Sequence, residues 1–236
     1  MGANLLNELD VSKKKGMGLE LDRGALEGLK KMPVDVFEGV YLGEVHENAL
    51  ILCVDLRGFS DYLCSNEDVT VFKLIKEFTS NLLSCINQFG YTCSYYKLLG
   101  DGALIIWDDA NENYVNAILS LFDAYTEFLN EYLFKASDRL ALAGALVMGK
   151  VFKYEISAEL SELKYRDYVG YGINLASRLQ SLAMADQLII DETIAKTGWI
   201  RFRVDQSPET QKILSSLKGL KTEDCDRLLF YDGRKL

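Results

Sequence analysis

Two aspartates stand where an acid could do chemistry. Asp55 closes a short apolar run, Ala49 to Leu56, and Asp101 sits in a Gly-Asp-Gly turn between two apolar segments. An acid inside a buried strand is costly unless it is paired or ligates a cation. Asp101 has a plain explanation as a turn residue, whereas Asp55 is harder to dismiss. The chain has one histidine, His46, so a site built on these two acids would be oxygen-only and suited to Mg²⁺ or Mn²⁺ rather than Zn²⁺. Such a pair can carry two metals for in-line phosphoryl or nucleotidyl transfer; the competing reading is a turn aspartate and an unrelated strand-end acid. Lys97, four residues before Asp101, fits a charge pair at a hairpin mouth. Downstream, Asn174 and Arg178 are spaced i and i+4, so they share one helix face. An amide beside a guanidinium suits solvent, and it equally suits a phosphate, which Arg's planar fork matches. Asp167 lies seven residues before Asn174.

The elements that must position these residues follow from apolar periodicity. The run 49–56 reads as a buried central strand, Arg57 to Ser60 as a turn, and Glu67 to Phe89 as an amphipathic helix stopped by Gly90. Thr92 to Leu99 and Ala103 to Trp107 form a hairpin about Gly100-Asp101-Gly102. Asn113 to Phe134 is a second long helix. Leu140 to Met148 and Lys150 to Ile156 read as a strand pair turning at Gly149, and 157–166 as a polar loop or short helix. Gly172 to Ala183 is a helix, Leu188 to Ile190 a strand, Glu192 to Lys196 a short helix, and Ile200 to Tyr231 carries weak strands around Pro208. Helices alternate with adjacent hairpins, which predicts an α+β fold, not a doubly wound parallel sheet. Residues 1–45 form a polar, mixed-charge arm with a helix at Leu19 to Met32, and 46–236 form the main domain.

Composition narrows the function. Of 236 residues, 26 are Lys or Arg and 35 are Asp or Glu, and the net charge of −9 disfavours a nucleic-acid-coating role. A single histidine nearly excludes His-based triads and His-rich metal sites. Five cysteines without CxxC spacing read as buried free thiols of a reducing compartment. No apolar run approaches the roughly 20 residues of a membrane span, and no signal peptide opens the chain, so the expected location is cytoplasmic.

The polar set resembles the catalytic domain of class III nucleotidyl cyclases over roughly residues 48 to 232. Val54-Asp55-Leu56-Arg57-Gly58-Phe59-Ser60 is similar to that family's first metal segment, and Lys97-Leu98-Leu99-Gly100-Asp101 to its base-contact lysine and second metal aspartate. Asp167 to Arg178 is similar to its base-contact acid, ribose-orienting Asn174 and transition-state Arg178. The resemblance implies a palm or ferredoxin-like mixed sheet flanked by helices. It implies two divalent cations, Mg²⁺ or Mn²⁺, on Asp55 and Asp101, and a product that is a 3′,5′-cyclic nucleotide plus pyrophosphate. Backbone N–H groups of Gly58 and Phe59 would meet phosphate oxygens, and Arg57 would be a second phosphate contact or a solvated side chain. Lys218 and Lys221 are both candidates for a triphosphate contact. Because all six positions exist in one chain, the family's head-to-tail pairing implies a homodimer with two shared sites. A diguanylate cyclase is excluded, since the Gly-Gly-acid-acid-Phe turn is absent.

Lys97 and Asp167 are the family's adenine-type combination, but cytosine presents the same acceptor beside a donor amine, and uracil is served if the two side chains exchange partners. The short arm on a bare catalytic domain resembles the stand-alone pyrimidine cyclases of bacterial anti-phage defence. It favours UTP or CTP, converted to cUMP or cCMP as an antiviral second messenger for a separate effector. The alternative is an adenylate cyclase making cAMP from ATP.

Overall fold

The computed structural model describes residues 40–89, 92–134, 140–157, 164–201 and 229–232. The Leu19–Met32 helix, Gly90, Lys218, Lys221, Cys225 and most of the C-terminal strands lie outside these residues. The chain divides into two compact units, one of Met1–Glu44 with Lys153–Tyr168 and one of Val45–Phe152 with Val169–Leu236.

In chain order the elements are β1 (Val40–Arg57), α1 (Phe59–Ser65), α2 (Asp68–Phe89), β2 (Tyr95–Leu98), β3 (Gly102–Trp107) and α3 (Glu112–Phe128). A π-helical turn (Leu129–Leu133) follows, then β4 (Ala141–Ser157), β5 (Lys164–Val169), α4 (Tyr171–Leu182), β6 (Gln187–Ile190), α5 (Glu192–Thr197) and β7 (Leu229–Asp232). The sheet runs β2-β3-β1-β4-β6-β7, with β5 paired to β4. β1 and β2 flank β3 antiparallel, whereas β4 and β6 are parallel. The expected α+β mixed sheet with flanking helices is the fold observed.

The β1 run is continuously apolar because both of its faces are covered. Leu50, Leu52, Val54 and Leu56 point into the main core with Val71, Leu74, Phe78 and Leu82 of α2 and Ile118, Phe122 and Tyr125 of α3. The Tyr125 hydroxyl donates to the Phe78 carbonyl at 2.6 Å, so the one polar atom that this ring carries inward is satisfied. The alternate residue Ile51 faces α4, where its Cδ1 lies at the position a Cβ on Gly172 would need.

β1 begins at Val40. Three expectations are corrected. The expected strand pair about Gly149 is the single strand β4: Gly149 has no positive φ and sits where the backbone of Gly172 crosses, its Cα 3.5 Å from where a Cβ at 149 would stand, an ordinary contact. Small residues at a helix–strand crossing give the same sequence signal as a turn glycine, which is why the spacing misled. Residues 164–166 belong to β5, not to a loop. Among the described cysteines all four are free, but Cys64 is exposed and only Cys53 is buried.

Asp191 caps α5, accepting from the Ile194 N–H at 3.1 Å, and is almost fully buried. Burial pushes its carboxyl up to about 6, against the opposing pull of the Ile194, Thr193 and Met148 donors. An unfolded aspartate ionises near ~3.9, so the folded chain holds this proton over a window where the unfolded chain has lost it. The contribution is full below pH ~4, falls as pH rises toward about 6, and is flat above, a loss on the order of 3 kcal/mol. Asp191→Asn is expected to flatten that slope. Urea unfolding of both proteins from pH 4 to 7 checks it, and parallel curves would refute it.

Candidate active site

The larger unit builds most of the expected set at one end of β1. In the β1–β3 register Asp55 stands opposite Gly102, so Asp101 lies one residue beyond, in the hairpin turn. The Leu56 N–H donates to the Asp101 carbonyl at 3.1 Å and the Leu99 N–H to the Gly102 carbonyl at 2.8 Å, which ties the turn to the strand end. Gly102 must be glycine: a Cβ there would stand 2.6 Å from the Val54 carbonyl oxygen and 3.1 Å from Asp55 Oδ1.

Asp55 is half-buried. Its carboxyl is raised above the usual carboxylate range, first by burial and then by the Asp101 charge; the Gln180 amide, Arg57 and the Leu56 N–H pull it down. A half-buried carboxylate whose ionisation is opposed by burial and by a second carboxylate beside it is a donor that a cation relieves. The hard oxygen donors and the side-chain-free wall at Gly102 fit a divalent ion of the Mg²⁺ or Mn²⁺ class. The neighbouring Cys53 thiol is pushed up to about 12 by burial and by Asp55, so it supplies no thiolate.

Beyond Asp55 the chain turns sharply. Gly58 takes φ 77°, ψ 3°, a conformation that favours glycine, and starts α1 directly. The Phe59 side chain is buried in the core. Arg57 has partners within the chain. Its Nε donates to the Ala183 carbonyl at 3.1 Å and its Nη2 to the Gln180 carbonyl, where it caps the C-terminal end of α4, while Nη1 stands 3.9 Å from Asp55 Oδ2. The last carbonyls of a helix are its natural partner because they carry the negative end of the dipole.

Lys97 is half-buried on β2 opposite Leu104, which in turn stands opposite Cys53. Directly opposed residues share a sheet face and alternate residues do too, so Lys97 is on the face of Asp55. On α4, Leu175, Ala176, Leu179 and Gln180 are buried; Asn174 is exposed and Arg178 partly so. Gln180 donates to Asp55 Oδ2 at 3.2 Å. At ~100° per residue Arg178 lies roughly 200° round the helix from Gln180, on the far side from its own chain's Asp55. Gln180 was missed from the sequence, although one polar side chain closing an apolar face was a visible signal.

Asp167 belongs to the smaller unit. Its Oδ2 accepts from the Tyr165 hydroxyl at 2.5 Å and its Oδ1 from the Tyr168 N–H at 2.8 Å, and it is buried. A cavity of about 480 Å³ lies along β4, α4 and α5, lined among others by Gly149, Lys150, Tyr171, Asp191 and Lys196, and by none of the candidate site residues.

No family model and no curated protein matches the chain. Solved structures do. The adenylyl cyclase CyaB from P. aeruginosa is 18% identical, with a TM-score of 0.63 over 80% of this chain and 95% of its own. The guanylyl cyclase Cya2 is 19% identical at 0.63, over 81% and 93%. The catalytic core of a rhodopsin-guanylyl cyclase with converted specificity, in complex with ATPαS, is 13% identical at 0.64, over 80% and 97%. The fold is that of the class III cyclase catalytic domains. In this chain Asp55 stands at the end of β1 and Asp101 in the turn before β3, and Asn174 and Arg178 lie on α4.

Proposed function

We propose that the protein is a nucleotidyl cyclase, converting a ribonucleoside triphosphate to a 3′,5′-cyclic nucleotide and pyrophosphate. The observation that carries the reading is the placing of Asp55 and Asp101 side by side, at the end of β1 and in the turn before β3, in a fold shared with adenylyl and guanylyl cyclases. In the reaction the ribose 3′-oxygen bonds to the α-phosphorus, the bond from that phosphorus to the β-bridging oxygen breaks, pyrophosphate leaves with the electron pair, and the hydroxyl proton passes to solvent. Two divalent cations, when bound, lower the pKa of the 3′-hydroxyl and offset triphosphate charge. Asp55 and Asp101 would hold them. The Gly58 and Phe59 N–H groups, at the start of α1, would receive phosphate oxygens. Asn174 would orient the ribose and Arg178 would stabilise charge at the α-phosphoryl group.

Asn174 and Arg178 face away from the Asp55 that Gln180 holds, so one chain's acids and its own α4 pair do not converge on one ligand. A second copy, paired head to tail, brings its Asn174 and Arg178 to these acids. We therefore propose a homodimer with two shared sites.

For the base, Lys97 as donor and Asp167 as acceptor match the amine-bearing bases adenine and cytosine directly. The pyrimidine reading, CTP or UTP converted to a messenger for a separate effector, rests on that ambiguity. The ATP reading is favoured by the adenylyl cyclase among the structural neighbours. Incubation with ATP, GTP, CTP and UTP and Mn²⁺ or Mg²⁺ separates them. The pyrimidine reading expects CTP or UTP to be cyclised at least tenfold faster than ATP at equal concentration, about 1.4 kcal/mol in transition-state binding. A preference for ATP assigns an adenylate cyclase, and a preference for GTP contradicts both.

A further inference from the structure

We infer that Gln180 is a positioning residue for the metal carboxylate Asp55, tethering its Oδ2 so that Oδ1 is left to the cation. The inference rests on the cyclase reading above, in which Asp55 is a metal ligand.

The two oxygens of Asp55 have different surroundings. Oδ2 accepts the Gln180 Nε2–H at 3.2 Å and has the Arg57 guanidinium 3.9 Å away. Oδ1 lies on the Gly102 side, beside the turn that carries Asp101. A side-chain amide nitrogen can only donate, and an ionised carboxylate can only accept, so the direction of this bond is fixed by chemistry. Gln180 is itself 9% exposed, and its backbone is held by a separate contact, the Arg57 donation to its carbonyl. The tether therefore springs from a helix end braced to the same strand that carries Asp55. Neither end of the hydrogen bond is on a free loop.

A free carboxylate at a strand end samples several χ2 orientations, and each cation that binds must select one. A donor on one oxygen removes that freedom in advance. Partners of this outer-shell kind typically set metal affinity by 10- to 100-fold. A glutamine is suited to the task where a lysine is not: it orients the carboxylate without adding a full positive charge that would compete with the cation.

The competing account is that Gln180 merely braces α4 against β1. Gln180→Leu separates the two, because leucine keeps the volume and helix preference, and the Arg57 bond uses the backbone carbonyl that remains. Gln180→Ala serves as the second variant if leucine fails to fold. Mn²⁺ binding to the nucleotide-free full chain is measured by the loss of the free-Mn²⁺ EPR signal, alongside thermal melting and the Mn²⁺ dependence of turnover. The expected result is a tenfold or greater rise in the Mn²⁺ dissociation constant with melting close to wild type, and turnover largely restored at saturating Mn²⁺. Unchanged Mn²⁺ affinity with a lowered melting temperature would overturn the assignment and leave a structural brace. Asp55→Ala is the control that keeps the two readings apart. If Asp55→Ala binds Mn²⁺ as wild type does, the metal reading falls and this inference falls with it. If Asp55→Ala loses Mn²⁺ while Gln180→Leu keeps it, only Gln180's role falls.

Discussion

Asp55→Ala and Asp101→Ala are each expected to lower turnover by at least about a thousandfold, some 4 kcal/mol of transition-state stabilisation, while leaving the fold intact. The size follows from the donor set. Among the described residues the donors at the end of β1 are carboxylate oxygens, the nearby Cys53 thiol is held far from ionisation, and Asp101 is the one acid that contributes to the raised Asp55 carboxyl. Losing one ligand of a hard-cation site thus leaves nothing beside it to substitute. The fold should survive because Asp55 and Asp101 are only half-buried, and alanine at 55 relieves a like-charge contact. Excess chelator should act on the wild type as the substitutions do. The measurement is cyclic-nucleotide formation with circular dichroism of each variant; wild-type turnover persisting in chelator would end the two-metal reading.

Mixing two dead variants is expected to restore activity. Asp55→Ala damages the carboxylate pair, and Arg178→Ala damages the opposite face of α4, so each homodimer has two defective sites. In a mixed dimer with head-to-tail sites, one site carries both defects and the other carries neither. With free exchange and random assortment, half the dimers are mixed and one site in two is whole, so activity should approach about a quarter of wild type. If Asp55 and Arg178 served one site of the same chain, every site in every mixture would carry a defect and nothing would return. That result, with exchange established by a tagged pull-down, would refute the shared site. The structural reason to expect recovery is the roughly 200° between Gln180, which touches Asp55, and Arg178.

Local pattern alone determined the elements. The unbroken apolar run at 49–54 required a strand covered on both faces, and the spacing Val71, Leu74, Phe78, Leu82, Ile86 required the one-sided helix that is α2. The candidate site residues were also visible in sequence, since an acid ending a buried strand and an amide–guanidinium pair at i and i+4 are legible without a fold. Gly149 shows where that legibility stopped. A glycine between two apolar segments fits a turn or a close helix crossing equally well, and only Gly172 arriving from another part of the chain decided it. Arg57 and Gln180 show the same limit for the site. Side-chain type offered a phosphate or solvent for Arg57, whereas its bonds to the Gln180 and Ala183 carbonyls depended on where α4 ends in space. Gln180 looked like one polar residue on a helix until tertiary packing set its amide against Asp55. Periodicity is a property of neighbours along the chain, so the sequence determined it; the partner of each polar atom is a property of neighbours across the chain, so only the tertiary structure decided it.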